Sequence, residues 1–139
     1  MNVIDSFRGE YFFLSNFYDA PVEYNGIKYR NNEAAFQAQK CTSEEYKKSF
    51  SNLTASEAKR DGRRCILRKD WEDIKINIMY EIVRAKFTQN RDLTDKLLAT
   101  GDAYLIEGNN WGDRVWGQVN GVGANNLGII LMRVRDELR

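Results

Sequence analysis

The chain contains no histidine. That absence removes the Ser-His-Asp and Cys-His nucleophile systems, HExxH-type zinc sites and imidazole acid–base chemistry. A catalyst made from these 139 residues must work with carboxylates, lysine, tyrosine or backbone groups. Cysteine is scarce too: Cys41 and Cys65 stand apart without a CxxC pair, which implies reduced thiols in a cytoplasm rather than a disulfide framework. Lacking paired cysteines and a DxDxDG loop, the chain is expected to hold no metal and no cofactor. No run approaches the roughly 20 apolar residues that span a bilayer. "MNVIDSFRGE" also lacks the basic-then-apolar layout of a signal peptide. The net charge of +1 excludes a broadly basic nucleic-acid coat, so any phosphate contact is local. These absences together point to a cytoplasmic protein without a membrane partner.

What is present describes one folded domain over residues 1–139. Apolar residues make up 42% of the chain, too many for a disordered one, and the length suits a single core. The first thirty residues read as β structure, with "VEYNGIKY" (22–29) alternating around Asn25-Gly26, a strong hairpin signal. "YFFLSNF" ahead of it is too aromatic for a linker and is expected in the core. Helices follow. Asn31 or Asn32 caps the first, which opens "NNEAAFQAQK". Thr42-Ser-Glu-Glu45 and Thr54-Ala-Ser-Glu57 read as capping boxes, with Gly62 ending the second short helix. Asp70 is expected to cap the longest helix, about 71–87, whose apolar stripe is Trp71, Ile74, Ile78, Met79, Ile82 and Val83. A further helix spans about 92–99, with Leu93, Leu97 and Leu98 inward, and "AYLIE" (103–107) reads as a short strand. A last helix starts near Asn126 and buries Leu127, Ile130, Leu131, Val134 and Leu138. The fold class is α+β, predominantly helical, with a small N-terminal β-hairpin.

Three stretches have the makings of chemistry. In the first helix, Glu33, Gln37 and Lys40 recur at i, i+4 and i+7 along one stripe. A solvated helix face has this pattern, and so does the wall of an active site. At about 1.5 Å per residue the stripe is about 10 Å long, so Glu33 and Lys40 are not an ordinary surface pair and have room to bracket a small ligand beside Gln37. Residues 108–123, "GNNWGDRVWGQVNGVG", lack periodicity. Trp111 and Trp116 either plug the core or form a stacking platform, and Asp113 either forms an Asx turn or serves a site. Residues 59–69, "KRDGRRCILRK", place six cations in eleven positions. They are either a solvated face or a phosphate-binding patch centred on Arg63 and Arg64.

The motifs, in order, resemble the NADAR (YbiA-like) family: "FRGEYFFLSNF", "NEAAFQAQK", "GRRCILRKDWEDIKINIMYEIVRAKF", "LIEGNNWGDRVWG" and "GVGANNLGIILMRVR". The resemblance covers about residues 4–135. One departure stands out: the family's Glu-His before FQAQK is Glu33-Ala34 here. The loop matches Asp-x-x-Trp-Gly at Asp113, Trp116 and Gly117, and residues 123–128 match Gly-x-Asn-x-Leu-Gly. The resemblance implies a YbiA-like domain and an N-glycosidase that cleaves ribose C1 from an amino group on a heterocycle. Its substrates would be ribosylamino-pyrimidine phosphates of riboflavin synthesis, or ADP-ribose carried by guanine in nucleic acid. Glu33, Lys40 and Asp113 would be the catalytic set, with Arg8, Asn16, Phe17, Trp116 and Asn125 lining the pocket. In the second case a cognate ADP-ribosyltransferase toxin would be a partner. A monomer is expected. The alternative is a non-catalytic module that binds ADP-ribose or NAD.

The residues themselves suffice for such a reaction. A ribose on an exocyclic amine opens to an imine, a neutral lysine attacks C1, and water hydrolyses the resulting Schiff base while carboxylates move protons and stabilise charge. The competing route is an oxocarbenium path with two carboxylates, in which Lys40 only binds.

Overall fold

Asn25 and Gly26 take the backbone through positive φ (50° and 85°) in the computed structural model, which describes residues 2–139. Two such residues make the hairpin turn whose twist matches that of the strands. In chain order the elements are β1 (Val3–Ile4), a 3-10 helix (Gly9–Leu14), β2 (Asp19–Tyr24), β3 (Ile27–Asn31), α1 (Asn32–Ala38), α2 (Glu44–Lys48), α3 (Ala55–Gly62), α4 (Trp71–Gln89), α5 (Arg91–Ala99), β4 (Tyr104–Leu105) and α6 (Asn126–Leu138). This is a predominantly helical α+β fold. It divides into two compact units, Asn16–Asn90 and the residues before 16 together with those after 90. Among the described residues, no helix is long and apolar enough to cross a membrane.

In the Asn16–Asn90 unit, β2 and β3 pair antiparallel, with Ala20, Val22, Ile27 and Tyr29 turned inward and Lys28 and Arg30 outward. The chain's one proline, Pro21, sits where the register slips between Asp19 and Val22, a place that needs no ladder N–H. β3 runs directly into α1, because Asn31 is both the last strand residue and the helix cap. Its Oδ1 accepts the Ala34 amide at 2.8 Å. Thr54 forms the full capping box with Glu57. α4 buries Trp71, Ile78, Met79, Ile82 and Val83, and the Trp71 ring meets Phe36 of α1 at 5.1 Å between centroids.

Several expectations need correcting here. Ser43, not Thr42, caps α2, its Oγ accepting the Tyr46 amide. The helix takes this register as Tyr46 packs on the fully buried Phe50 one turn later. Asp70 stands at the start of α4 without capping it, since Arg68 takes both carboxylate oxygens at 2.7 and 3.1 Å. Ile74 is only half-buried. Gly62 is the last helical residue of α3 and not a stop beyond it, for a packing reason given below. Finally, "YFFLSNF" is not strand. Gly9 at φ 57° turns the chain into a 3-10 helix that buries Phe13 and Leu14 and leaves Phe12 exposed.

In the other unit, β1 and β4 pair parallel, with Ile4 beside Leu105. α5 and α6 pack through Leu93, Leu97, Leu131 and Val134, while Leu98 and Leu138 are half-buried at the margins. Arg135 is buried among them, donating to the Ala103 carbonyl and to Thr100 Oγ1, both at 2.9 Å. Asn125 joins β4 to α6. In the left-handed conformation (φ 54°), its side chain donates to the Leu105 carbonyl and accepts the Glu107 amide, both at 2.9 Å.

Sequence patterning did not pick out Lys86, on the buried face of α4. It is 1% exposed, with Nζ 5.6 Å from the Tyr18 ring centre and 5.1 Å from that of Phe87. Burial lowers its ammonium pKa to about 7. The unfolded chain holds that proton up to about pH 10.4, so folding releases it above pH 7 and stability rises with pH. Between pH 7 and 8.5 the rise attributable to Lys86 should be on the order of 1 kcal/mol. Denaturant unfolding of wild type and Lys86→Met across that window checks this. The variant should show a flatter pH dependence whatever its absolute stability, and parallel curves would refute the shift.

Candidate active site

α1 is too short to be stable alone, and all seven of its residues, Glu33 and Gln37 among them, are buried. The stripe is therefore not a solvated face. Glu33 and Gln37 are 8% and 7% exposed, and they bond each other, Gln37 Nε2 donating to Glu33 Oε1 at 2.8 Å. Small residues make this depth possible: Ala34, Ala35 and Ala38 let α1 press against its neighbours. Asn16 fixes the start of the helix. Its carbonyl accepts the Glu33 amide at 3.1 Å, and its side chain meets Met79 Sδ and Asn32, each at 3.4 Å. The half-buried Phe17 faces Lys59 of α3, whose Nζ lies 5.8 Å from its ring centre.

Lys40 lies beyond the helix. α1 ends at Ala38, and Lys40 closes the following turn with its amide on the Gln37 carbonyl at 3.2 Å. It is half-buried and, among the described residues, forms no ion pair. Burial lowers its ammonium pKa, against the opposing pull of Glu33 and the thiols and with some help from Arg63. Those thiols flank the lysine. Cys41 is buried, and its pKa is pushed up to about 12 by burial and then by its hydrogen bond with Cys65. Both cysteines are free, as expected from their isolation in the sequence.

α3 packs tightly against the stripe. A Cβ on Gly62 would stand 2.0 Å from Gln37 Oε1, so the helix needs glycine there to approach. From Gly62 the chain carries Arg63 and Arg64, both exposed, toward Arg68, whose backbone N–H donates to the Lys40 carbonyl at 3.1 Å.

The remaining sequence-selected residues belong to the other unit. Arg8 is exposed, and its carbonyl starts the 3-10 helix by accepting the Tyr11 amide at 3.0 Å. Trp111 is 56% exposed and so does not plug the core, whereas Trp116 is half-buried. Asp113 forms the Asx turn: one carboxylate oxygen accepts the Val115 and Trp116 amides at 3.0 and 2.9 Å, and Asn109 braces its backbone. Asn125 is 1% exposed and committed to Leu105 and Glu107 as described. Sequence reasoning overlooked Glu107, which anchors Asn109 and so the loop (Oε2 to Nδ2, 3.1 Å). Its signal was present in the "LIEGNN" motif, where a carboxylate directly precedes the glycine of the loop.

The stripe offers a buried carboxylate, a neighbouring amide and a lysine biased toward neutrality, which suits proton transfer and nucleophilic attack. The NADAR domain family profile matches residues 5–139. The chain is 38% identical over 130 residues to N-glycosidase YbiA of Escherichia coli, spanning 90% of this chain and 80% of that protein. It is 40% identical over 131 residues to a riboflavin biosynthesis protein of Vibrio vulnificus, covering 91% of this chain and 35% of that longer protein. The NMR structure of E. coli YbiA matches with a TM-score of 0.87 and 36% identity, over 99% of this chain and 84% of that one.

The Gly62 contact gives a sharp test of how the stripe is held. Gly62→Ala improves helix propensity by up to about 1 kcal/mol, yet its methyl group crowds the buried Gln37 side chain and forces its amide to shift. Overpacking of this kind costs about 1–3 kcal/mol. Urea unfolding should show a net loss of stability, and a stabilised variant would mean that the contact is loose.

Proposed function

Because the chain belongs to the NADAR domain family and is a hydrolase acting on N-glycosyl compounds, we propose that it cleaves the bond between ribose C1 and an exocyclic amine of a heterocycle, with Lys40 as nucleophile. The observation that carries the proposal is the pairing of a half-buried lysine, its ammonium disfavoured by burial, with the buried Glu33–Gln37 pair. A free lysine is neutral in only about one molecule in 2,500 at pH 7, so a nucleophilic one needs such a bias.

The ribosylamine opens between C1 and the ring oxygen, leaving a C1=N imine to the heterocycle. The Lys40 amine attacks C1. Glu33 takes the proton that the Lys40 nitrogen loses on attack and passes it to the heterocyclic nitrogen as the bond from C1 to that nitrogen breaks, its electron pair staying on the nitrogen. Water adds to the lysine imine, and its collapse frees the sugar and restores Lys40, so the net change is hydrolysis. Gln37 holds the Glu33 carboxyl in place. Asp113 is assigned the charge-stabilising carboxylate on the Asp-x-x-Trp-Gly match alone, with Arg8, Asn16, Phe17, Trp111 and Trp116 assigned to substrate contact, while Asn125, committed to Leu105 and Glu107, holds the backbone between β4 and α6. Arg63 and Arg64 are suited to the phosphate.

The substrate is a ribosylamino-pyrimidine phosphate or ADP-ribosylated guanine. The name of the Vibrio relative favours the first. Parallel turnover of the two measures the preference.

Lys40→Arg keeps the charge and cannot form an imine. The variant should retain substrate binding and lose turnover by several orders of magnitude. Borohydride added during turnover should leave a ribosyl adduct on Lys40 of the wild type, detectable by peptide mass spectrometry. Substantial activity in the arginine variant, with no adduct in the wild type, would reduce Lys40 to an electrostatic clamp on an oxocarbenium route.

A further inference from the structure

Neither thiol takes part in the chemistry assigned to the stripe, yet both stand beside it. Cys41 directly follows Lys40 and continues the turn after α1, its amide donating to the Ala38 carbonyl at 3.1 Å. Cys65 comes from residues 63–70, the segment that crosses from α3 to α4 within the same Asn16–Asn90 unit. The two side chains are hydrogen-bonded to each other, and the Cys65 thiol also donates to the Gly62 carbonyl at 3.3 Å. The segments that carry them are tied through the backbone as well, by the Arg68 N–H on the Lys40 carbonyl. The pair is unequally open to solvent: Cys41 is 4% exposed, whereas Cys65 is half-buried.

We propose that Cys41 and Cys65 form a reversible oxidation site, at which a hydroperoxide converts the two thiols to a disulfide that joins the Lys40 turn to the 63–70 segment and slows turnover. The site stands on the contact between the thiols, and its effect on turnover rests on the N-glycosidase reading of Lys40. Burial and the bond to Cys65 push the Cys41 pKa up to about 12, so its thiolate is scarce and the more open Cys65 is the sulfur that meets the oxidant. The Cys65 sulfur attacks one peroxide oxygen, the O–O bond breaks, and the thiol proton leaves with the other oxygen as water. Sulfur is oxidised by two electrons to a sulfenic acid and the peroxide is reduced. The Cys41 sulfur then attacks the Cys65 sulfur, the S–O bond breaks, and the departing hydroxide takes the Cys41 proton to form a second water. A dithiol reverses the change by thiol–disulfide exchange.

The bridge reaches the stripe through its geometry. A disulfide holds its sulfurs about 2.05 Å apart, much closer than hydrogen-bonded thiols, so closure must shift at least one of the two segments. It also removes the Cys65 S–H from the Gly62 carbonyl. On one side, Cys41 is joined through the chain to Lys40. On the other, Gly62 and Arg68 flank Cys65 and meet Gln37 and the Lys40 carbonyl. A misplacement of about 1 Å at a reacting group can lower a rate by about 100-fold.

The test uses the full chain, as wild type, Cys65→Ser and Cys41→Ala, each treated with hydrogen peroxide and then alkylated with iodoacetamide. Peptide mass spectrometry of the treated wild type should show Cys41 and Cys65 joined and closed to alkylation. Release of heterocycle from a ribosylamino-pyrimidine phosphate should fall at least about tenfold and return on addition of dithiothreitol. Cys65→Ser should match the reduced wild type and keep its rate through the peroxide step, which separates the bridge from oxidation of methionine. In Cys41→Ala the sulfenic acid has no thiol to meet, so dimedone should label Cys65. The wild-type spectrum and Cys65→Ser decide the proposal even where Cys41→Ala does not fold. Two free thiols in the treated wild type overturn it, and so does a bridged protein that turns over at the reduced rate. An equal loss of rate in Cys65→Ser overturns it too, because the inactivating oxidation would then lie elsewhere. Failure of the N-glycosidase reading shows separately, as a reduced wild type that releases no heterocycle while the mass spectrum still reports the bridge.

Discussion

The Asn16–Asn90 unit depends on one asparagine. Asn31 is fully buried where β3 becomes α1. Its Oδ1 caps the helix at Ala34, while its Nδ2 donates to the Leu53 carbonyl at 3.2 Å and to Asp19 at 3.4 Å. One amide thus ties together the hairpin, the helix and the segment leading to α3. A cap of this kind contributes about 1 kcal/mol, and a buried partner left unpaired by its loss adds about 1–3 kcal/mol. For a seven-residue helix that has little stability of its own, these are large contributions.

The depth of α1 is what changes the chemistry of its polar residues. On a surface, Glu33 and Gln37 would be hydrated and would contribute little. Under the hairpin, α3 and α4 they are bonded to each other, and that bond helps to fix where the carboxylate sits. Gly62 sets how close α3 comes, and Asn16 sets the height of the helix start. The arrangement is therefore a consequence of packing: the small side chains along α1 bring the elements close enough to desolvate most of Glu33 and part of Lys40.

The sequence disclosed most of this framework through local signals. Asn25-Gly26, the Asn31 cap, the Thr54–Glu57 box and the stripes of α4 and α6 are each decided by near neighbours, and local pattern suffices for them. What it did not disclose depends on distant partners. Asp70 has the form of a cap, but Arg68 claims its carboxylate. Lys86 looks like a polar interruption of an apolar face, and only the surrounding aromatic rings show it to be interior. Within the stripe, the i, i+7 spacing assumes a continuous helix, whereas the helix ends at Ala38 and a turn carries Lys40. The stripe survives because that turn keeps Lys40 hydrogen-bonded to Gln37.

The missing histidine then acquires a physical sense. Imidazole titrates near neutrality without help, whereas lysine and carboxylate reach that range only through their surroundings. This fold uses burial for the purpose. Lys86 shows how far the interior can go, with an ammonium lowered to about 7 by desolvation alone, yet at 1% exposure it is closed to any substrate. Lys40 is shifted in the same direction and remains half-open, with the nearby Glu33 charge pulling the other way. Access and desolvation compete at such a residue, because the solvent that admits a substrate also stabilises the ammonium. In the proposed reaction a bound sugar displaces that solvent, which favours the neutral amine of Lys40 once the site is filled.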